Sequence, residues 1–146
     1  RRFEFIVLTD HSIYIDDYAH HPKEIESLLT SVRAMFPSRK VTAIFQPHLF
    51  TRTRDFASEF AESLSLADEV ILLDIYPARE LPIEGVTSDI IYEHVRSREK
   101  QLCVKAALMA VLADKEIDVL VTLGAGDIDR FVEPIKKLIE ERYAKV

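Results

Sequence analysis

The chain has 146 residues, 48% of them apolar and 30% charged, which is typical of one folded domain and excludes a disordered protein. Its net charge of −6 argues against a nucleic-acid-binding protein, whose phosphate partner needs a basic surface. The single cysteine excludes an internal disulfide and favours a reducing, cytoplasmic compartment. No apolar run approaches the roughly 20 residues of a membrane span.

Two strands and a helix are predicted in the first quarter of the chain. Residues 1–8 and 13–15 are strand-like and are separated by a polar turn, which indicates a β-hairpin. Pro22 suits the first turn of a helix, and apolar residues continue at helical spacing to Met35. A helix is therefore predicted over 22–35.

Strands and helices alternate along the rest of the chain. Strands are predicted over 40–45, 69–75, 101–104 and 117–124. Helices are predicted over 56–66, 89–95 and 105–113, and a final helix carries Phe131, Ile135, Leu138 and Ile139. The alternation predicts an α/β fold for residues 1–146, a single domain. We expect a Rossmann-like, mostly parallel sheet with helices on both faces and the initial hairpin at an edge.

Four polar loops follow predicted strands: DDYAHHP, QPHLFTRTR, DIYPARE and GAGD. In open α/β sheets, ligands bind beyond the carboxyl ends of the strands. The convergence of these loops therefore predicts a ligand site at that edge of the sheet.

The first loop contains Asp16, Asp17, His20 and His21. Adjacent side chains point apart, so we expect the two histidines, and likewise the two aspartates, to have separate roles. A carboxylate at a strand end can hold ribose hydroxyls, and a histidine can bind phosphate, a carboxylate or a metal. The alternative is a helix N-terminus with Asp and His as local caps, and spacing alone favours it.

The second loop offers His48, Arg52 and Arg54 beside two threonines. Arginine suits bidentate recognition of a carboxylate or phosphate. Thr51 and Thr53 are candidate caps for the next helix, whose N-terminus also favours anions. A solvated helix start is the alternative, which we prefer for Arg54 and leave open for His48 and Arg52.

The third and fourth loops give weaker signals. Tyr76 is expected to contact a neighbouring loop and Arg79 to pair with Glu80, while Thr87 or Ser88 is expected to cap the helix that follows. In GAGD the dinucleotide pattern G-x-G-x-x-G fails, so a tight turn with Asp127 as N-cap is preferred to nucleotide binding. A Walker A motif is absent, and the histidines lack zinc-site spacing.

Four segments together resemble the C-terminal domain of the Mur ligase family: RRFEF…IDDYAHHPKEI, FQPHLFTRTRDF, LADEVILLDIYPARELPIEGVTS and VTLGAGDID. The resemblance runs from Arg1 to near the C-terminus. It implies a Rossmann-like third domain that brings in an amino acid, after a UDP-sugar domain and a central ATPase domain. We expect the chain to be a piece of a longer protein, with residues 1–12 close to the hinge from the central domain.

The resemblance also implies an activity. Members of the family build the peptide stem of peptidoglycan in an ATP-dependent reaction that passes through an acyl phosphate. ATP and Mg²⁺ are both bound mainly by the central domain. The FQPH segment with TRT indicates the member that adds L-alanine to UDP-N-acetylmuramate, and the isolated domain is expected to be inactive. The alternatives are the recycling member that attaches a whole tripeptide, and a non-catalytic module that binds a nucleotide or a partner.

Residue roles follow from the same resemblance. The nucleotide contacts are Arg2, near the phosphates, and Asp17, at the ribose. The residues around the incoming amino acid and the reacting centre are Tyr18, His20, His48 and Arg52, of which His20, His48 and Arg52 are the catalytic candidates. The facing wall comprises Gly124, Ala125, Gly126 and Asp127. Many relatives have an arginine or another polar residue at Leu49, so Arg52 is expected to hold the amino-acid carboxylate alone or with another group.

Overall fold

The computed structural model describes residues 2–143 and has six strands with helices packed against them. The strands are β1 (Glu4–Leu8), β2 (Ile13–Asp17), β3 (Val41–Phe45), β4 (Glu69–Leu73), β5 (Glu99–Cys103) and β6 (Val119–Leu123). The helices are α1 (Pro22–Met35), α2 (Phe50–Leu64), α3 (Asp89–Tyr92), α4 (Lys105–Ala113) and α5 (Val132–Tyr143), the last preceded by a 3₁₀ turn, Asp127–Phe131. The predicted α/β class is confirmed.

The sheet has the strand order β1-β2-β6-β3-β4-β5. β1 pairs with β2 antiparallel, and every other pairing is parallel. The initial hairpin therefore forms one edge of the sheet, as predicted. Because β2, β6, β3 and β4 are consecutive neighbours, their carboxyl ends lie side by side at one edge.

Hydrophobic clusters cover both faces of the sheet. One face packs against α1, α2 and α3, and the rings of Phe45 and Phe60 lie 5.3 Å apart there. The other face packs against α4 and α5 through residues such as Leu108 and Ile135. Burying each such side chain contributes about 2 kcal/mol, so both faces stabilise the strand ends that position the loops. Within residues 2–143, no helix is long and apolar enough to cross a membrane.

Four predicted boundaries differ from the structure. α2 begins at Phe50 rather than Phe56, because its first residues are polar and a kink at Phe56 interrupts the apolar periodicity. α3 ends at Tyr92, three residues before the predicted end. β5 begins at Glu99, two residues before the predicted start, because this edge strand is largely exposed and lacks an apolar run. The first strand was predicted to start at Arg1, which lies outside the described residues; it starts at Glu4.

Candidate functional site

Aromatic side chains from three strand-end loops form a row across the carboxyl edge of the sheet. Ring centroids are 5.0 Å apart for Tyr18 and His20, 6.2 Å for His20 and His48, and 5.7 Å for His48 and Tyr76. The last two rings are stacked, with 12° between their planes. The predicted convergence of these loops is confirmed, and we call these four residues the aromatic row.

His48 is held in a defined protonation state by Arg52. The Arg52 Nη1 atom lies 3.3 Å from Nδ1 of His48. Because a guanidinium can only donate, Nδ1 accepts, and the neutral ring has its proton on Nε2. Burial lowers the pKa of His48, and the charges of Arg52 and His20 lower it further. His48 is therefore a neutral N–H donor at pH 7.

We expect Arg52→Gln to raise the pKa of His48, because a neighbouring cation disfavours the imidazolium and the substitution removes that cation. The glutamine side chain is shorter, so the substitution removes both the charge and the hydrogen bond to Nδ1. Titration of the His48 ring signals by NMR measures the shift. Arg54→Gln is the matched control, because Arg54 pairs with Asp55 at 2.9 Å and should leave the titration unchanged. An unchanged His48 pKa in Arg52→Gln would contradict the assigned contact.

His20 has the complementary tautomer. Its Nδ1 lies 3.0 Å from the Tyr18 carbonyl oxygen, which can only accept, so Nδ1 carries the proton and Nε2 of the neutral ring has a lone pair. The Glu24 carboxylate lies 3.6 Å from Nδ1. The site thus places an imidazole acceptor, His20, beside an imidazole donor, His48.

The paired residues of the first loop do divide their roles, as predicted. The His21 ring packs on Phe56 at 5.1 Å, away from the aromatic row. Asp16 is buried and accepts a hydrogen bond from the Thr122 hydroxyl at 2.7 Å. Local capping is also present, because Glu24 accepts the backbone N–H of His21 at 3.1 Å.

Asp17 lies beside a second feature, which we call the N-terminal groove. Its carboxylate accepts the backbone N–H groups of Phe3 and Ala19, both at 2.7 Å. The groove has a volume of about 440 Å³, and its lining residues are Arg2, Phe3, Asp17, Lys23, Glu24, Ser27, Leu28 and Ser31. In the described part of the chain, neither Arg2 nor Lys23 has a carboxylate partner. The groove therefore offers two unpaired cations to an anionic ligand.

The Gly124–Asp127 wall is anchored by a buried amide. Gln46 is only 1% exposed; it donates to the Asp127 carboxylate at 2.7 Å and accepts the backbone N–H of Ile128 at 3.0 Å. Lys105 donates to the other Asp127 oxygen at 2.6 Å. Burial tends to raise the pKa of Asp127, but these hydrogen bonds outweigh it and the pKa falls. The predicted N-cap role of Asp127 is wrong: Gly126 is the cap residue, and Asp127 begins the 3₁₀ turn.

Both glycines of this wall allow neighbouring atoms to approach the backbone closely. Gly124 has a φ of 145°, which favours glycine, and its backbone N–H lies 3.4 Å from the Asp17 carbonyl oxygen. A Cβ at Gly126 would lie 2.4 Å from Oε1 of Gln46 and 2.7 Å from Cγ of Tyr76. Ala125 between them is half-buried. The wall thus contacts both the first loop and the aromatic row.

The N-terminus of α2 is filled by Glu80. Its carboxylate accepts the backbone N–H groups of Phe50 and Thr51 at 2.6 and 3.0 Å, and the Thr51 hydroxyl at 2.5 Å. The predicted Arg79–Glu80 pair is therefore wrong, because the helix terminus attracts the carboxylate.

Among the predicted side-chain caps at helix starts, Thr87 is confirmed, because its hydroxyl accepts the backbone N–H of Asp89, the first residue of α3, at 3.2 Å. The other three are wrong. Thr51 and Thr53 lie inside α2, whose N-cap residue is Leu49. Ser88 is the N-cap residue of α3, but its hydroxyl donates to the Leu73 carbonyl oxygen at 2.5 Å. The predicted contact of Tyr76 with a neighbouring loop is confirmed by its stacking on His48.

The fold and the site together define a class: an α/β domain with two complementary imidazoles at the carboxyl ends of its strands, beside a guanidinium that has no carboxylate partner within residues 2–143. A family model described as Mur ligase, glutamate ligase domain, matches residues 1–129, and the chain belongs to this family. The family resemblance of the sequence motifs is confirmed.

The chain is also similar to individual members of this family. The chain is 56% identical over 145 residues to the UDP-N-acetylmuramate–L-alanine ligase of Cytophaga hutchinsonii, covering 99% of this chain and 31% of that protein. The solved UDP-N-acetylmuramate–alanine ligase of Thermotoga maritima matches with a TM-score of 0.74 and 28% identity, over 100% of this chain and 30% of that one. A murein peptide ligase of Psychrobacter arcticus shares the fold, with a TM-score of 0.73 and 19% identity over 95% of this chain and 30% of that one. The chain thus spans 31% of the length of the curated relative.

Proposed function

We propose that this chain is the amino-acid-binding C-terminal domain of an ATP-dependent ligase that adds L-alanine to UDP-N-acetylmuramate in peptidoglycan synthesis. The observation that carries the proposal is the Arg52 guanidinium, which contacts neutral His48 and has no carboxylate partner among residues 2–143. The similar proteins named as alanine ligases support the choice of substrate. UDP-sugar and ATPase domains would precede this one, with residues 1–12 near the hinge.

The alanine carboxylate is bound by Arg52 and by the Nε2–H of His48 in this proposal. Both groups donate, and a carboxylate only accepts. The N-terminus of α2 is already occupied, because Glu80 accepts the N–H groups of Phe50 and Thr51. His48 thereby supplies the second donor that an arginine at position 49 would have supplied. Tyr18 and the Gly124–Asp127 wall enclose the ligand on either side.

The alanine amine attacks the carbonyl carbon of the acyl phosphate, the C–O bond to phosphate breaks, and the amine loses a proton as the amide forms. In its neutral form His20 accepts that proton on the Nε2 lone pair, and Glu24, 3.6 Å from Nδ1, stabilises the resulting imidazolium. ATP supplies the phosphoryl group that converts the muramoyl carboxylate into an acyl phosphate. His48 and Arg52 orient the amino acid so that the amine faces this carbonyl carbon.

The N-terminal groove fits the adenosine triphosphate. Arg2 and Lys23, which have no carboxylate partner among the described residues, bind the phosphates, and each Asp17 oxygen retains a lone pair for a ribose hydroxyl after accepting one backbone N–H. Within residues 2–143, no group of three or more His, Cys, Asp or Glu side chains is placed to hold a metal ion. As the family resemblance implies, Mg²⁺ is bound mainly by the central domain in this proposal. The cytoplasm supplies ATP, and the product serves cell-wall growth, cell shape and division.

We expect Lys23→Ala to raise the KM for ATP about tenfold, because one charge-assisted contact to a phosphate contributes about 1.4 kcal/mol. The KM for L-alanine should stay within twofold, because Lys23 lines the N-terminal groove rather than the aromatic row. Steady-state kinetics of the full-length protein give both values. Lys137→Ala, on exposed α5, is the control. An unchanged KM for ATP in Lys23→Ala would remove the lysine from the nucleotide site.

Phosphate release by the full-length protein tests the proposed function. ATP, Mg²⁺ and UDP-N-acetylmuramate are supplied with either L-alanine or L-Ala-γ-D-Glu-meso-diaminopimelate. Release with alanine and not with the tripeptide is the expected result. Release with the tripeptide alone would assign the recycling activity, and no release with either would leave a non-catalytic binding module.

A further inference from the structure

The start of α2 is a short segment that depends on outside contacts for its position. Phe56 has non-helical angles, φ −124° and ψ 21°, and separates residues 50–55 from the remainder of the helix. A helical segment this short is unstable alone, because nucleation costs more than its few hydrogen bonds return. Arg52 lies in this segment, so the guanidinium is only as well placed as these six residues.

The chain enters this segment through a strained residue. Leu49 has φ 73° and ψ 139°, a region that side-chain-bearing residues rarely adopt and that costs about 1–3 kcal/mol. Its backbone N–H donates to the Tyr76 carbonyl oxygen at 2.9 Å, and its carbonyl oxygen accepts the Thr53 hydroxyl at 2.8 Å. One contact with the loop after β4 and one with α2 itself therefore hold Leu49 against its strain.

Glu80, also in the loop after β4, binds the first residues of α2. It accepts three hydrogen bonds from Phe50 and Thr51, the two residues that precede Arg52. The hydrogen bond from the Thr51 hydroxyl, followed by that from its backbone N–H, lowers the pKa of Glu80, so the carboxylate is charged at neutral pH. The side chain of Arg52 makes one hydrogen bond among the described residues, to His48, and this bond cannot fix the backbone.

We propose that Glu80 is a positioning residue for the amino-acid site: its carboxylate locks residues 50–55 in place and thereby sets the Arg52 guanidinium against His48. The inference depends on the proposed function, in which Arg52 binds the alanine carboxylate. Glu80 has a second effect on recognition. By filling the anion-binding terminus of α2, it directs the substrate carboxylate to Arg52 instead of the helix end.

Kinetics of the full-length protein test this role with two substitutions. Glu80→Ala leaves the N–H groups of Phe50 and Thr51 without their acceptor, and should raise the KM for L-alanine about tenfold. The KM values for ATP and UDP-N-acetylmuramate should stay within twofold. Glu80→Gln keeps an acceptor oxygen, and the Thr51 hydroxyl can turn to accept from its amide, so it should restore the alanine KM to within about threefold. Glu84→Ala, an exposed carboxylate on the same loop, is the control.

Hydrogen exchange separates this inference from the proposed function. Faster exchange of the Phe50 and Thr51 amides in Glu80→Ala, with the core strands unchanged, is expected whichever substrate the protein uses. Failure of the wild type to join alanine would overturn the proposed function alone. An unchanged KM for alanine, equal increases in all three KM values, or unchanged amide exchange would each overturn the role of Glu80. If Glu80→Ala does not fold, Thr51→Ala removes one of the three bonds and should raise the alanine KM about threefold; no change would overturn it equally.

Discussion

Arg52→Ala should lower kcat/KM for L-alanine about a thousandfold in the full-length enzyme. Removing one preorganised hydrogen-bond donor to a negative charge lowers the rate of an enzyme about a hundred- to a thousandfold, which corresponds to roughly 2.7–4 kcal/mol. Arg52 stands at the upper end of this range, because Leu49 supplies no second guanidinium and His48 would lose the partner that fixes its tautomer. Steady-state kinetics at saturating ATP and UDP-N-acetylmuramate provide the measurement.

Two further variants define the effect. Arg52→Lys keeps the charge but lacks the planar guanidinium and does not reach Nδ1 of His48. We therefore expect an intermediate decrease in kcat/KM for L-alanine, about fiftyfold. Arg54→Ala should have a kcat/KM for L-alanine within threefold of the wild-type value, because Arg54 is exposed and pairs with Asp55. Equal losses in the Arg52 and Arg54 variants would show a general charge effect and contradict a carboxylate contact.

Gly126→Ala should destabilise the fold by about 3 kcal/mol. The added Cβ would lie 2.7 Å from Cγ and 2.8 Å from Cβ of Tyr76, which cannot move without shifting the backbone, and 2.4 Å from the Gln46 amide oxygen. Overpacking of this kind costs about 1–3 kcal/mol, and displaced Gln46 would also release its bonds to Asp127 and Ile128. Equilibrium denaturation gives the free energy of unfolding.

Gly85→Ala separates steric crowding from the general cost of losing a glycine. Nothing lies within 4 Å of a Cβ at Gly85, but its φ of 80° disfavours alanine. A cost of about 1 kcal/mol is expected there. Gly126 has a negative φ of −87°, which alanine adopts readily. A larger loss in the free energy of unfolding for Gly126→Ala than for Gly85→Ala therefore comes from the steric contacts alone. Equal losses at the two glycines would show that the wall does not pack on Tyr76 as described.

The fold followed from the sequence because its signals are local. Buried parallel strands such as Val41–Phe45 and Val119–Leu123 are continuous apolar runs, and α1 has both a proline at its start and a clear apolar stripe. The grouping of His20 and His48 also followed, because parallel strands bring their carboxyl ends together. The start of α2 did not follow, because its polar first segment and its kink hide the helical period.

Gln46 and Glu80 were the site residues that the sequence did not reveal. A polar residue directly after a buried strand is a usable signal, and Gln46 is one, but its role depends on Asp127, 81 positions away. Glu80 was assigned to the neighbouring Arg79, yet it bonds to Phe50 and Thr51, about 30 positions away. Partners this distant are chosen by the tertiary fold, so local patterns cannot identify them.

The most direct test of the central claim is whether Arg52 binds the carboxylate of the incoming amino acid. L-Alanine and L-alaninamide, which keeps the amine but lacks the carboxylate, are compared as acceptors in the wild type and in Arg52→Ala. If Arg52 binds the carboxylate, the wild type prefers alanine by about a thousandfold and Arg52→Ala prefers it by less than tenfold, since the two changes remove the same interaction. An undiminished preference for alanine in Arg52→Ala would place the carboxylate site elsewhere and contradict the account.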